Sequence, residues 1–231
     1  MNIRDIVYNE CDTKECGGKF YTFEQTESGI KIKDCKCKKK LELYNKYLEA
    51  GIPIEFWNFN VENIDETFDR KILNDFNVFS EKIKMCVVNK VKFWFYGDNG
   101  QGKTTIAVLM LKEVLKAGYT GKIIKAFQLI KHLYNGEIDL LDNLDFIIID
   151  ELDKLPNIEN TILNFSNVVA DYMDKKSMIF ISNKNMEHFK REKIYPEFFI
   201  SRLKSFEKIH FKNPYDYRDG ESIFSQIREV E

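Results

Sequence analysis

The sequence predicts an α/β fold in which a parallel sheet lies between two layers of helices, preceded by a small cysteine-bearing module. Three observations carry that prediction. From residue 91 onward, apolar runs suited to buried strands alternate with segments of helical period, the pattern of strand–helix–strand units. Between the first such strand and helix lies "GDNGQGKTT", a G-x-x-x-x-G-K-[ST] loop at a strand-to-helix turn. Four of the five cysteines fall within the first 37 residues.

Each element has its own signal. The alternating stretches "KFYTF" and "IKIKD", separated by the turn "ESG", predict a hairpin between two cysteine pairs. From residue 38, Leu41, Tyr44 and Leu48 recur at helical spacing until Gly51 and Pro53 stop the helix. Phe68, Ile72, Phe76, Phe79, Ile83 and Val87 form one apolar stripe and predict a single helix from Asp65. Then follow strand "VKFWFYG", helix "KTTIAVLMLKEVLKA" ended by Gly118, strand "GKIIKAF", short helix "QLIKHLYN" and strand "LDFIIID". Helix "NIENTILNFSNVVADYMDK", strand "SMIFISN", helix "YPEFFISRLK" and strand "EKIHFKN" complete the order.

The 231 residues suffice for one sizeable core and a small appended module. A formal charge of only −2 excludes a strongly basic nucleic-acid coat, so any DNA contact must be a local patch. No run approaches the ~18 apolar residues of a membrane span, and the first residues lack a signal-peptide pattern, so the expected location is the cytoplasm. In a reducing compartment, clustered cysteines favour metal over disulfides.

The loop supplies the first chemistry. Gly97, Gly100 and Gly102, with Asp98, Asn99, Gln101 and Thr105, bring backbone N–H groups to phosphate oxygens at the positive end of a helix. Lys103 reaches the β- and γ-phosphates of ATP, and the Thr104 hydroxyl holds Mg²⁺. At the end of the buried strand "FIIID", Asp150 is placed to take Mg²⁺ through water. Glu151 beside it orients and deprotonates the attacking water, the alternative being an exposed strand-end acid. Asn183 ends another buried strand, where its amide hydrogen-bonds the γ-phosphate or the water, or simply forms a strand-to-loop turn. Arg202 reads either as a finger projecting into a neighbour's nucleotide or as a surface ion pair.

The cysteines have the spacing C-x4-C, eighteen residues, C-x-C. Cys11, Cys16, Cys35 and Cys37 can close a tetrahedral zinc site or remain unligated thiols; Cys86 stands alone and reads as a buried apolar filler. A segment of some fifty residues has little core of its own, so a metal would have to hold it together.

The stretch "EAGIPIEFWNFNVENI", residues 49–64, is not explained by nucleotide chemistry. It resembles the linker of bacterial and phage replicative helicase loaders of the DnaC/DnaI group, relatives of the IstB transposition helper ATPases. "IIIDELDK", "FISNKN" and "ISRLKS" resemble that group's Walker B, sensor-one and arginine-finger segments, and "NPYDYRD" its late Ser-Tyr-Arg segment, with Asp216 in place of serine. The resemblance implies an AAA+ core over residues 51–231 without a helical lid, since only 26 residues follow Ser205. It implies that residues 1–50 form a zinc module docking on a hexameric replicative DNA helicase, and that the ATPase core holds single-stranded DNA and self-associates through its ATP interfaces, Arg202 acting in trans. In "AFQLIKHLYNGE", the segment that resembles the DNA-facing helix of this clade, Lys131, His132 and Tyr134 offer a phosphate partner, an imidazole and a stacking ring. Lys36, Lys38, Lys39 and Lys40 form a basic run that touches DNA or an acidic partner, or is a solvated face. Three other functions remain open: an adaptor or inhibitor using ATP only as an assembly switch, an IstB-like transposition helper, and a plain phosphate-loop kinase, for which no lid or acceptor pocket is found.

Overall fold

The computed structural model describes residues 2–13, 16–156 and 158–212; "NPYDYRD", with Asp216, lies outside them. The chain forms two compact units, Met1–Trp57 and Asn58–Glu231. The first contains helix α1 (Ile3–Asn9), strands β1 (Tyr21–Thr26) and β2 (Gly29–Asp34), and helix α2 (Lys36–Glu49). α1 is an element that the sequence pattern did not announce: Asn2 caps it by accepting from the Arg4 N–H. β1 and β2 pair antiparallel, with Phe23 opposite Ile32 and Gln25 opposite Ile30. α2 buries Tyr44 and Tyr47, and the Tyr44 ring lies 5.0 Å from that of Trp57, whose Nε1 donates to the Ile52 carbonyl. The segment after α2, which includes the 3-10 turn Ile54–Phe56, is thus anchored to α2 through an aromatic contact.

The second unit runs α3 (Arg70–Glu81), α4 (Ile83–Val88), β3 (Lys92–Tyr96), α5 (Lys103–Lys116), β4 (Gly121–Lys125), α6 (Ala126–Tyr134), β5 (Phe146–Asp150), α7 (Glu159–Met173), β6 (Ser177–Ser182), α8 (Met186–Arg191), α9 (Glu197–Leu203) and β7 (Glu207–His210). The five strands are all parallel, in the order β4-β5-β6-β3-β7. Both faces are covered, as parallel sheets require. Phe93 and Phe146 pack against Phe79 of α3 on one face. On the other, Trp94, Ile147, Ile149, Met178 and Phe180 join α6, α7, α8 and α9 in one apolar cluster. The predicted three-layered sheet is therefore present.

Three element boundaries differ from expectation. The single helix expected from Asp65 is instead two, α3 starting only at Arg70 after the Asp69 cap with Phe68 before it, and α4 separated from α3 because the backbone at Lys82 (φ −116°, ψ 25°) leaves helical geometry; the sequence holds no Gly or Pro there to announce it. Ala126 and Phe127 belong to α6 rather than to a strand, because the Gln128 side chain reaches back to the Lys125 N–H and starts the helix early. α8, with Asn185 accepting from the His188 N–H, was too short to show a period. Cys86 is half-buried in α4, not fully so.

The segment before α3 is tied to the core by a charge. Lys112 of α5 is 1% exposed and donates from Nζ to the Phe59 carbonyl at 2.5 Å. Burial, reinforced by Lys116, lowers its pKa to about 8.

Two outcomes follow from this architecture. Replacing the fully buried Phe180 by alanine should cost about 3–5 kcal/mol of unfolding free energy in urea, whereas the same change at half-exposed Phe127 should cost at most about 0.5. Between pH about 8 and 10.5 the native state holds fewer protons on Lys112 than the unfolded chain, so stability should rise with pH there. Urea midpoints of wild type measured relative to Lys112→Met should climb through that window; a flat difference contradicts the assignment.

Candidate nucleotide and metal sites

Because every strand of the sheet points the same way, their carboxyl ends deliver side chains to one edge. β3 leaves that edge through the glycine loop. Gly97, Gly100 and Gly102 have φ of 143°, 73° and 83°, which L side chains rarely adopt. A Cβ at Gly97 would lie 2.3 Å from the Phe211 carbonyl oxygen, and one at Gly102 would lie 2.6 Å from the Phe68 ring, so the residue after β7 and the segment before α3 press on the loop from two sides. Lys103 opens α5 and is 6% exposed. Its Nζ donates to the carbonyls of Gly97 (2.7 Å) and Asp98 (2.5 Å). These contacts hold the ammonium inside the loop that would receive the phosphates. Asp98, Asn99, Gln101, Thr104 and Thr105 complete the loop and the first turn of α5.

β5 ends beside it. Thr104 Oγ1 donates to Asp150 Oδ2 at 3.0 Å, while Oδ1 accepts the Glu151 N–H at 2.7 Å. Burial raises the Asp150 pKa, the two hydrogen bonds opposing it. The two residues expected to hold Mg²⁺ are thus in contact, and a hydroxyl with a carboxylate is the hard oxygen set that this ion takes. Glu151 sits in left-handed geometry (φ 58°, ψ 40°), and its Oε1 is bound by Lys125 (3.1 Å) and Lys154 (2.9 Å). Burial pushes its pKa upward, but the two lysines outweigh it and the net shift is down. The carboxylate is accordingly charged and held. Asn183 follows β6; its backbone N–H and Nδ2 donate to the two oxygens of Asp153, at 2.8 and 3.2 Å.

Arg202 lies elsewhere. Its Nε is 3.6 Å from Asp174, the residue that ends α7, and Lys92 at the first position of β3 is 3.6 Å from the same carboxylate. Arg202 is therefore at the amino end of the sheet. Five strand residues, or about 15 Å, separate that end from the loop.

α6 begins at the same edge as the loop. Lys131 Nζ stands 4.6 Å above the ring of Phe127, an exposed aromatic that residue pattern alone did not single out because it was assigned to the preceding strand. Tyr134 and His132 are engaged within the chain, Tyr134 Oη with Thr161 Oγ1 (3.0 Å) and His132 Nδ1 with Glu137 Oε2 (2.5 Å).

In the first unit the cysteine sulfurs converge. Cys11 follows α1, Cys16 precedes the Gly17–Gly18 turn, Cys35 caps α2 and Cys37 lies in its first turn. The four Sγ atoms all lie within 4.8 Å of one another, with Cys11–Cys35 at 3.8 Å and Cys16–Cys37 at 3.4 Å, and none is disulfide-bonded. Four thiolates at the zinc bond length of about 2.3 Å form a tetrahedron with edges of about 3.8 Å. The donor set and its spacing fit that ion; a backbone hydrogen bond from Cys37 lowers the Cys35 pKa to about 6, whereas burial raises that of Cys37. Glu10, bound by Tyr44 Oη (3.0 Å) and Lys40 Nζ (2.6 Å), fastens α1 to α2 beside the cluster.

The family model for IstB-like ATP binding proteins matches residues 59–194. The crystal structure of DnaI superposes with a TM-score of 0.53 at 19% identity, over 72% of this chain and 94% of that one. That of the DnaC helicase loader gives 0.57 at 19%, over 69% and 100%. AMPPCP-bound DnaA from Aquifex aeolicus gives 0.50 at 20%, over 74% and 54%. At these identities the likeness is one of fold, the AAA+ fold. Among curated proteins, a cobalt-precorrin-5B C(1)-methyltransferase from Prochlorococcus marinus (strain MIT 9215) is 34% identical over 98 residues, 37% of this chain; the chain spans 26% of that relative's length, too little to assign a family.

Two measurements test the geometry. Lys125→Met should raise the Glu151 pKa toward the ordinary carboxylate range in an NMR titration of labelled glutamate; no movement would mean that the pair is not formed in solution. Elemental analysis of purified protein should find about one zinc per chain. Cys16→Ser should lose it together with the dispersion of the hairpin resonances, because so small a unit has little apolar core of its own.

Proposed function

The chain belongs to the IstB-like ATP-binding protein family, and from that premise we propose that it is a loader, delivering a hexameric replicative DNA helicase to single-stranded DNA. That it is an ATPase of AAA+ fold follows from the family and the sheet. The observation that carries the finer reading is the cysteine module: it lies outside residues 59–194, where the family match ends, and accompanies a nucleotide-binding unit sharing its fold with the DnaC helicase loader. An IstB-like transposition helper generally carries a different N-terminal segment.

In this reading the loop amides from Gly97 to Thr105 and Lys103 bind the phosphates of ATP, Lys103 exchanging loop carbonyls for phosphate oxygens. Thr104 and Asp150 hold Mg²⁺, which neutralises phosphate charge when bound. Glu151 orients and deprotonates the attacking water once released from Lys125 and Lys154, and Asn183 fixes the γ-phosphate or that water. Arg202, too far from its own loop, serves a neighbouring copy, so the assembly is held together by nucleotide. Zinc on Cys11, Cys16, Cys35 and Cys37 holds the first unit. Its hairpin exposes Phe23, Ile30 and Ile32 on one face, an apolar surface suited to a protein partner. Single-stranded DNA stacks on Phe127, with Lys131 at a phosphate. The clamp on Glu151 favours one alternative, an adaptor in which ATP serves only as an assembly switch.

Co-purification with a replicative helicase tests the central reading. Wild type should bind, Cys35→Ser should not, and Lys103→Ala should fail to assemble with nucleotide. Absence of binding by wild type contradicts the loader. Glu151→Gln should bind the helicase yet fail to complete loading; if it loads as well as wild type, ATP is only a switch. For DNA, Phe127→Ala should weaken single-strand affinity about tenfold, while Tyr134→Phe stays within about twofold. The reverse ranking in fluorescence anisotropy would place the strand elsewhere.

A further inference from the structure

The 3-10 turn Leu152–Lys154 lies between the two groups that the preceding reading assigns to the attacking water, and touches both. Lys154 binds Glu151 at 2.9 Å. Asp153 has both carboxylate oxygens taken by one residue, Asn183, through its backbone N–H and its side-chain amide. The turn cannot drift, because Leu152 is fully buried and its carbonyl accepts the Tyr195 hydroxyl at 2.7 Å. Tyr195 is itself buried, its ring 4.9 Å from that of Phe199 on α9.

We propose that Asp153 is a positioning residue for ATP hydrolysis that acts through Asn183. The inference rests on the assignment of Asn183 to the γ-phosphate or the attacking water. A single bond to the Asn183 backbone would be enough to tether the end of β6. The second bond, to Nδ2, fixes the side-chain torsions instead. A carboxylate can only accept, so the amide nitrogen faces Asp153, and the amide oxygen with the remaining N–H is directed to the ligand. Without Asp153 the amide can rotate and flip. An error of about 1 Å in a reacting geometry is enough to cost on the order of 100-fold in rate. Because the same turn carries Lys154, the partner of Glu151, both groups are referenced to one rigid point between β5 and α9.

The test is a double-mutant cycle on steady-state ATP hydrolysis, with affinity for a non-hydrolysable ATP analogue measured beside it. Asp153→Ala should lower kcat about 10- to 100-fold while the analogue binds within about twofold of wild type. Asp153/Asn183→Ala should be no slower than Asn183→Ala alone, since the aspartate has nothing left to position. Losses that multiply overturn the proposal, as does an Asp153→Ala enzyme of normal kcat when Asn183→Ala is slow. Should Asp153→Ala fail to fold, Asp153→Asn keeps an acceptor for the backbone N–H and loses the one for Nδ2; it should retain the wild-type melting temperature with a reduced kcat, and a normal kcat overturns the proposal equally. If Asn183→Ala itself hydrolyses ATP normally, the assignment of Asn183 is wrong and the proposal falls with it, an outcome distinct from failure of the cycle.

Discussion

The Thr104–Asp150 hydrogen bond joins the start of α5 to the end of β5, and much of the nucleotide site depends on it. It is possible only because β3 and β5 run parallel and end at the same edge, with β6 between them. A parallel sheet has to be covered on both faces, and here apolar side chains from alternate strand positions meet α3 on one side and α6 to α9 on the other. The burial that stabilises the sheet also raises the Asp150 pKa, and its hydrogen bonds with the Glu151 N–H and the Thr104 hydroxyl oppose that shift, as a nearby cation would. The fold thus supplies the demand that a divalent ion would meet.

The same edge explains why Glu151, Asn183 and the loop lie together while Arg202 does not. Strand ends are set by the direction of the chain, and Arg202, in the last turn of α9, lies at the opposite end, against Asp174. In the proposed assembly Arg202 therefore acts on a neighbouring copy rather than on its own loop. The clamp of Lys125 and Lys154 on Glu151 adds a second constraint, in that the carboxylate is charged and held by two ion pairs.

Much of this was legible in residue order. Lys103, Thr104, Asp150 and Glu151 stand at fixed offsets from strand ends, so a linear pattern suffices to find them, and the alternation of strands with helices gives the layered sheet. The cysteines were legible as candidates, but that all four sulfurs converge depends on the Gly17–Gly18 turn and the start of α2. Lys125, Asp153 and Phe127 were not legible. Lys125 meets Glu151 across two neighbouring strands, Asp153 meets Asn183 thirty residues away, and Phe127 turns outward only because α6 starts two residues sooner than its apolar pattern suggested. The break at Lys82 was hidden for a similar reason: the apolar stripe continues across it, and nothing local marks the change.

The central proposal, that each nucleotide site is completed by the next copy, is tested most directly by mixing two inactive variants. Lys103→Ala cannot hold the phosphates but still offers Arg202; Arg202→Ala binds ATP but lacks the finger. Each alone should hydrolyse ATP at background rate, and an equimolar mixture should recover a substantial part of the wild-type rate. A mixture as inactive as its components would contradict the account.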